Sequence, residues 1–254
     1  MFTSERQNAI LEILKENGSE VVKNLAKSLY VSEATVRRDL KEMQKMGLIE
    51  RSHGGAILPE TADEVSIFVR INKNAKEKER VATAALSVLP ECKTLFIDSS
   101  STALALASRM DLALKTVVTN NLQTAMLLAK KSNINLILLG GSVQYNTNSA
   151  TGSFTVRQIG DFSFDLMLTS SAGIDGGEAL DKSIEQREIK RAAFLRSKKK
   201  ILLADHTKFG VSAPHKIAAL TDYDFVVTDE APSIGGLENV NLVYLTKSET
   251  RPRR

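Results

Sequence analysis

Tryptophan is absent from this 254-residue chain, aromatic residues make up only 5% of it, and Cys92 is its single cysteine. One thiol excludes a disulfide scaffold and any zinc or iron–sulfur centre built on several cysteines. With three histidines in all, no metal-ligand cluster is expected, and no metal. No apolar run approaches the roughly 18 residues that a membrane-spanning helix needs. The opening segment MFTSERQNAILEILKENG mixes acids with its apolar residues, which fits neither a secretory nor a transit peptide. A soluble, cytoplasmic protein is therefore expected. A P-loop, a nucleophile elbow and a G-x-G-x-x-G after an apolar run are missing too, so no nucleotide or other cofactor is expected.

Net charge is also scarce: 34 basic against 30 acidic residues leave +4. Most of that excess sits in the last eight residues, KSETRPRR, which carry a net +3 as a basic tail over 247–254. Residues 1–60 hold nine bases and nine acids. Bulk charge therefore says nothing about nucleic acid, and only the placement of charges can. Apolar content of 43% over this length supports one large or two ordinary domains with real cores.

Residues 1–58 read as short helices followed by a hairpin. Ser4 with Gln7 has the spacing of a capping box, and Ile10, Leu11 and Leu14 mark an apolar face that ends near Gly18. Val21, Val22, Leu25 and Ala26 form a second short helix that breaks near Tyr30, and Ser32 is placed to cap a third carrying Val36, Leu40 and Met43. His53-Gly54-Gly55 suits the turn of a hairpin. Together these make a winged helix-turn-helix, although plain packing domains share the pattern.

The angular position of the charges favours the DNA-reading alternative. At about 100° per residue, Val36, Leu40 and Met43 fall on one stripe of the third helix. Arg38, Lys41 and Lys45 fall opposite, with Thr35 and Arg37 flanking them. Glu33 and Asp39 fall nearer the stripe, where they serve the helix N-terminus or intramolecular pairs. Such a basic ridge neutralises phosphates, and arginine bonds guanine edges bidentately. Ser32 and Thr35 are candidates for phosphate or base contacts, and Arg51 and His53 for contacts from the hairpin. Each also suits a solvated charge or a turn.

Residues 59–75 read as a linker, with Pro59, Glu60, Asp63 and Glu64 marking weak periodicity. Beyond it, over 76–246, seven apolar runs alternate with helical patterns: TLFID (94–98), TVVT (116–119), NLILLG (135–140), DLMLTSS (165–171), KILLAD (200–205), DFVVTD (224–229) and NLVYL (241–245). Strands of this kind between helices mean an α/β domain with a mostly parallel sheet covered on both faces. Polar clusters recur where those strands end: Asp98-Ser99-Ser100-Ser101-Thr102, Thr119-Asn120-Asn121, Gly140-Gly141-Ser142, Ser170 to Asp175, and Asp205-His206. Ligands of open α/β sheets bind at that edge. The first cluster is suited to an anion at a helix N-terminus or to elaborate capping.

The segments VSEATVRRDL and GLIERSHGGA closely resemble the DNA-binding signature of the DeoR family of bacterial transcriptional regulators, and the similarity extends through NAKEKERVATAA into the second block. The resemblance implies a homo-oligomeric regulator, dimer or tetramer and usually a repressor, of double-stranded operator DNA. It further implies a phosphosugar-sensing and oligomerisation domain with an isomerase-like fold, similar to ribose-5-phosphate isomerase, and a phosphorylated sugar or related metabolite as effector. On the same basis Asp98 and Asn120 would bond sugar hydroxyls, and Gly140 and Gly141 would let the backbone approach the ligand. Glu185 and Lys190, in EQREIKRAAF, become candidates for gating or sugar contact, and Lys208, in LADHTKFG, for phosphate contact. Asp175, in GIDGG, suits either ligand contact or a turn. The family usually has glycine where this chain has Ser100. The alternative is a phosphosugar isomerase with an accessory DNA-binding head, but no full isomerase active-site pattern is present and no enzyme is expected.

Overall fold

The computed structural model of the chain describes residues 3–45, 48–52, 54–57 and 66–245. Two compact units divide between Lys73 and Asn74. In the first, α1 (Thr3–Asn17), β1 (Ser19–Val21), α2 (Val22–Ser28), α3 (Glu33–Lys45), β2 (Glu50–Ser52), β3 (Gly55–Ile57) and α4 (Ile67–Asn72) follow in order. Of the expected apolar residues, Ile10, Leu11 and Leu14 of α1, Val22, Leu25 and Ala26 of α2, and Val36, Leu40 and Met43 of α3 meet in one core, while Val21 falls in β1 and is exposed. Ser4, read as a cap, lies inside the first turn of α1. Gly18, at φ +72, ends that helix, its N–H on the Leu14 carbonyl at 2.8 Å.

The hairpin β2–β3 forms as expected, but β3 also pairs with β1, a strand not legible in three residues without alternation. Gly54, at φ +79, makes the turn. Gly55 has another purpose, since a Cβ there would stand 2.3 Å from the Glu20 carbonyl oxygen. Only glycine lets β1 come that close. The linker expected over 59–75 needs correction where it is described. Residues 67–72 form α4, and Phe68 and Val69 pack on the core of the first unit. The apolar spacing of six residues was too short to read as a helix.

The second unit contains α5 (Ala75–Leu86), β4 (Thr94–Ile97), α6 (Ser101–Arg109), β5 (Thr116–Thr119), α7 (Leu122–Leu128), β6 (Asn135–Leu138), β7 (Ser142–Gln144), β8 (Ser149–Thr151) and α8 (Ser153–Gly160). It continues with β9 (Phe164–Thr169), β10 (Gly173–Asp175), β11 (Glu178–Asp181), α9 (Ile184–Leu195), β12 (Ser197–Leu203), β13 (His215–Ala219), β14 (Phe225–Val227) and β15 (Leu242–Val243). The seven apolar runs become one sheet in the order β15-β14-β12-β9-β4-β5-β6, with every neighbouring pair parallel. Alternate residues of β4 serve opposite faces: Leu95 and Ile97 pack with α5 and α6, Phe96 with α8 and α9. The hairpin β7–β8 and the antiparallel sheet β10-β11-β13 had no counterpart in the sequence reading, because their strands are short and mostly polar.

Two buried charges fix α3 against α1. Arg6 holds the Asp39 carboxylate with both Nε and Nη2, the latter at 3.0 Å, and both residues are nearly inaccessible. Glu33 pairs with Arg37 at 2.7 Å one turn apart on the surface. Asp39→Ala strands the guanidinium and should cost about 3–5 kcal/mol in urea unfolding. Glu33→Ala should cost less than about 1 kcal/mol. Equal costs would show that burial does not set the difference.

Candidate functional site

On α3 the side chains sort as the wheel predicts. Val36, Leu40 and Met43 are fully buried, while Arg37, Arg38 and Lys41 are exposed. Ser32 caps the helix, its Oγ accepting from the Thr35 N–H at 3.2 Å and lying 2.9 Å from the Thr35 hydroxyl. Arg37 is engaged by Glu33, which leaves Arg38 and Lys41 as the ridge's cations with no partner among the described residues. Arg51 is half-buried on β2. The side chain of Lys45 and the whole of His53 lie outside the described residues.

In the second unit, β4 lies between β5 and β9, so the strand order turns there. That switch point is where a parallel sheet opens a crevice at its carboxyl edge. The five polar clusters follow β4, β5, β6, β9 and β12, neighbours in the sheet, and so converge on that edge.

Asp98 spans the switch point. One carboxylate oxygen accepts from the Ser100 N–H at 2.9 Å; the other accepts from the Thr169 hydroxyl at 2.7 Å and the Ser170 N–H at 3.2 Å. Lys190, buried on α9, stands 2.6 Å from Asp181 and 3.7 Å from Asp98. Asp98 and Lys190 therefore hold the crevice together, and their lone pairs and protons are largely occupied by protein.

The serine loop divides in the same way. Ser99 donates to Gln186 at 2.7 Å, and Ser100 caps α6 by accepting from Ala103 N–H at 3.1 Å. With φ −81, Ser100 sits in extended backbone that needs no glycine. The hydroxyls of Ser101 and Thr102, at the N-terminus of α6, are held by no protein group among the described residues. In the loops at this edge, three further polar atoms are buried without a partner among the described residues: Asn120 Oδ1 after β5, Ser171 Oγ after β9 and Asp205 Oδ2 after β12. Buried polar atoms are almost always satisfied, and these stand on strands either side of β4. Asn120 and Asp205 offer acceptors, which suits a ligand bearing hydroxyls.

The remaining candidates sit differently. Glu185 is exposed and takes the Ser183 hydroxyl at 2.7 Å, which with the helix N-terminus holds its pKa below the usual value. Its neighbour Gln186, missed in the sequence, is the buried hub: its amide nitrogen donates to Ser149 at 2.9 Å, Gln144 at 3.0 Å and Thr147 at 3.2 Å. Its partners are 37 to 87 residues away, so no local spacing could reveal it. Gly140 has both backbone groups taken by Gln158, at 3.2 and 2.9 Å, and a Cβ on Gly141 would meet Thr155 Oγ1 at 2.0 Å. Packing inside the protein thus accounts for Gly141, whereas a Cβ on Gly140 would meet nothing closer than 3.4 Å. Asp175 is exposed beside the turn Gly176-Gly177, at φ +55 and +76, the geometry of a two-residue hairpin. Lys208 is half-buried in a short 3-10 turn after β12.

A winged helix-turn-helix joined to a parallel α/β unit with a polar crevice is the build of a DNA-binding regulator with a ligand-sensing domain. Residues 6–62 match the DeoR-like helix-turn-helix domain and residues 73–230 the DeoR C terminal sensor domain. The chain belongs to the DeoR family. It is 37% identical to the HTH-type transcriptional regulator GolR of Listeria innocua, over 90% of this chain and 91% of that protein. It is 32% identical to the glycerol-3-phosphate regulon repressor of Escherichia coli, over 94% and 95%. Among solved structures, ribose 5-phosphate isomerase A of Methanocaldococcus jannaschii aligns at TM-score 0.38 and 12% identity, over 54% of this chain and 55% of that one. At that level nothing about its chemistry carries over. No helix of the described residues is long and apolar enough to cross a membrane.

Two outcomes test the site's electrostatics. Lys190→Met takes the ammonium from two buried carboxylates, Asp181 and Asp98, and should cost about 3–5 kcal/mol in chemical unfolding; a neutral result would remove Lys190 as their counter-charge. His206, after β12, bonds the buried Asp229 carboxylate through Nδ1 at 2.9 Å, and this raises its pKa above the ordinary 6.5. A raised folded-state value stabilises fully below 6.5, and that stabilisation is lost as pH rises through the higher value. The wild-type melting temperature should therefore fall more steeply above pH 6.5 than that of His206→Gln. Parallel profiles would contradict the pairing.

Proposed function

We propose that this regulator represses a sugar or nucleoside catabolic operon and leaves its operator when a phosphorylated sugar or related metabolite enters the crevice of the second unit. The carrying observation is the set of unpartnered polar atoms around β4: Asn120 Oδ1, Ser171 Oγ and Asp205 Oδ2. Hydroxyls of a polyol satisfy the acceptors, and the N–H groups and hydroxyls of Ser101 and Thr102 receive its phosphate. The name of the Escherichia coli relative couples repression to a phosphorylated polyol, which supports this choice of chemistry. Asp98, Ser99, Ser100, Lys190 and Gln186 shape the crevice, and Lys208, in the turn after β12, is the candidate for a phosphate contact from that side. An isomerase would need a free carboxylate beside the sugar carbonyl. Asp98 is occupied by three protein donors and is not such a base; what favours sensing over turnover is the reading head and the relatives named as transcriptional regulators.

On DNA, α3 lies in the major groove, with Arg38 reading a base edge and Lys41 and Lys45 on phosphates. Ser32, Thr35 and Arg37 contact the backbone near the helix N-terminus, and Arg51 and His53 contact it from the wing. Two copies would meet half-sites about one helical turn apart. The test uses duplexes selected from random DNA by the purified protein. Arg38→Ala should weaken binding by about 1–3 kcal/mol and relax one base position, whereas Lys41→Ala should weaken all sequences evenly and lower the salt slope by about one unit. Ser101→Ala with Thr102→Ala should keep DNA binding and lose the thermal shift given by phosphorylated sugars and polyols. Intact DNA binding in Arg38→Ala/Lys41→Ala would overturn the reading face. An intact ligand shift in the double hydroxyl variant would overturn the phosphate site.

A further inference from the structure

Between Thr116 and Val156 the chain carries only two charged residues, Lys130 and Lys131, although a quarter of all residues are charged. This stretch builds one margin of the second unit: β5, α7, the edge strand β6, the hairpin β7–β8 and the start of α8. Among the described residues, strand β6 pairs with β5 alone. Exposed edges of soluble proteins are usually guarded by lysine, proline or an inward-pointing charge, because an open strand invites pairing. Residues 132–156 contain no charge and no proline at all.

Large apolar side chains surround this unguarded edge. Leu138 on β6 is 47% exposed, Met126 on α7 64%, Phe154 on α8 56%, and Val143 and Tyr145 on and after β7 57% and 60%. Neutral polar groups accompany them, with Asn133 and Asn135 both exposed. Methionine and aromatic residues with few charges are the composition of the centre of a protein–protein interface.

We propose that the β6 edge is the surface through which two copies of this chain associate. A two-fold axis beside β6 sets it antiparallel to the same strand of the second copy and joins the two seven-stranded sheets into one. The observations favour a second copy over a different protein. Selective hetero-partners are commonly chosen by charges across the contact, and this surface has almost none to offer. A neutral surface meets its own copy without like-charge repulsion, as an isologous contact requires. The choice of a second copy also rests on the operator-reading function proposed above, since paired half-sites need paired heads. The unguarded edge itself does not depend on that function.

Sedimentation equilibrium of the full-length protein, without DNA or metabolite, is the test. The wild-type chain should be at least dimeric at micromolar concentration. Leu138→Lys and Phe154→Glu each place a charge on an already exposed position, so their thermal unfolding should stay cooperative while association weakens by about 30-fold or more, as at an interface hot spot. Amide hydrogens of residues 135–138 should gain protection from exchange as wild-type concentration rises. A monomeric wild-type protein, or an oligomer that both variants leave intact with concentration-independent exchange at β6, would overturn the proposal. DNA and metabolite are absent from these measurements, so such a failure is separable from any failure of the functional reading. The latter is tested by Arg38→Ala and Ser101→Ala/Thr102→Ala, which should associate like the wild type.

Discussion

Asp98 carries a buried carboxylate across the point where the order of the sheet turns, and the geometry of the second unit's crevice follows from holding it there. A carboxylate taken out of water is tolerated only when nearly every lone pair is engaged. The Ser100 N–H, the Thr169 hydroxyl and the Ser170 N–H meet that demand from both sides of the gap, with Lys190 3.7 Å away. These bonds fix the loop after β4 against the loop after β9. Gln186 then ties Ser99 to Gln144, Thr147 and Ser149, so the rim at β7–β8 is set by the same framework. Groups that serve as framework are distinct from groups left to recognise a ligand. The residues richest in chemistry at first sight belong to the first kind.

The same division of labour holds in the winged head. Asp39 is spent on Arg6 inside the unit, and Val36, Leu40 and Met43 are spent on the core. What remains outward on α3 is a short run of cations whose direction is fixed because the helix is clamped. Arg38 is adjacent in sequence to Asp39 yet faces away from it. A rigid helix loses little freedom on meeting DNA, which is how placement of charge does more than its total.

Much of this architecture is legible in the sequence, for a physical reason. Strands covered on both faces must be apolar throughout, and all seven such runs became the seven strands of the parallel sheet. The α3 stripe, the Ser32 cap and the intramolecular roles of Glu33 and Asp39 were readable from helical periodicity. Strand β1, hairpin β7–β8 and the sheet β10-β11-β13 were not, because three to five residues with mixed polarity carry no period. At the site, the convergence of polar clusters on one edge was readable, since parallel strands must end on the same side. Which atoms remain unpartnered there was not. That depends on partners tens of residues away, as Asp98 with Thr169 and Ser170, and Gln186 with Thr147 and Ser149, illustrate.

The proposed release of DNA by a metabolite requires that binding in the second unit and binding by the reading head be coupled. Binding of a selected operator duplex should be titrated with and without a phosphorylated polyol that stabilises the protein, and binding of the polyol titrated with and without the duplex. Thermodynamic linkage requires both affinities to fall by the same factor, typically about 5- to 150-fold. Identical affinities in the presence and absence of the second ligand would contradict the account.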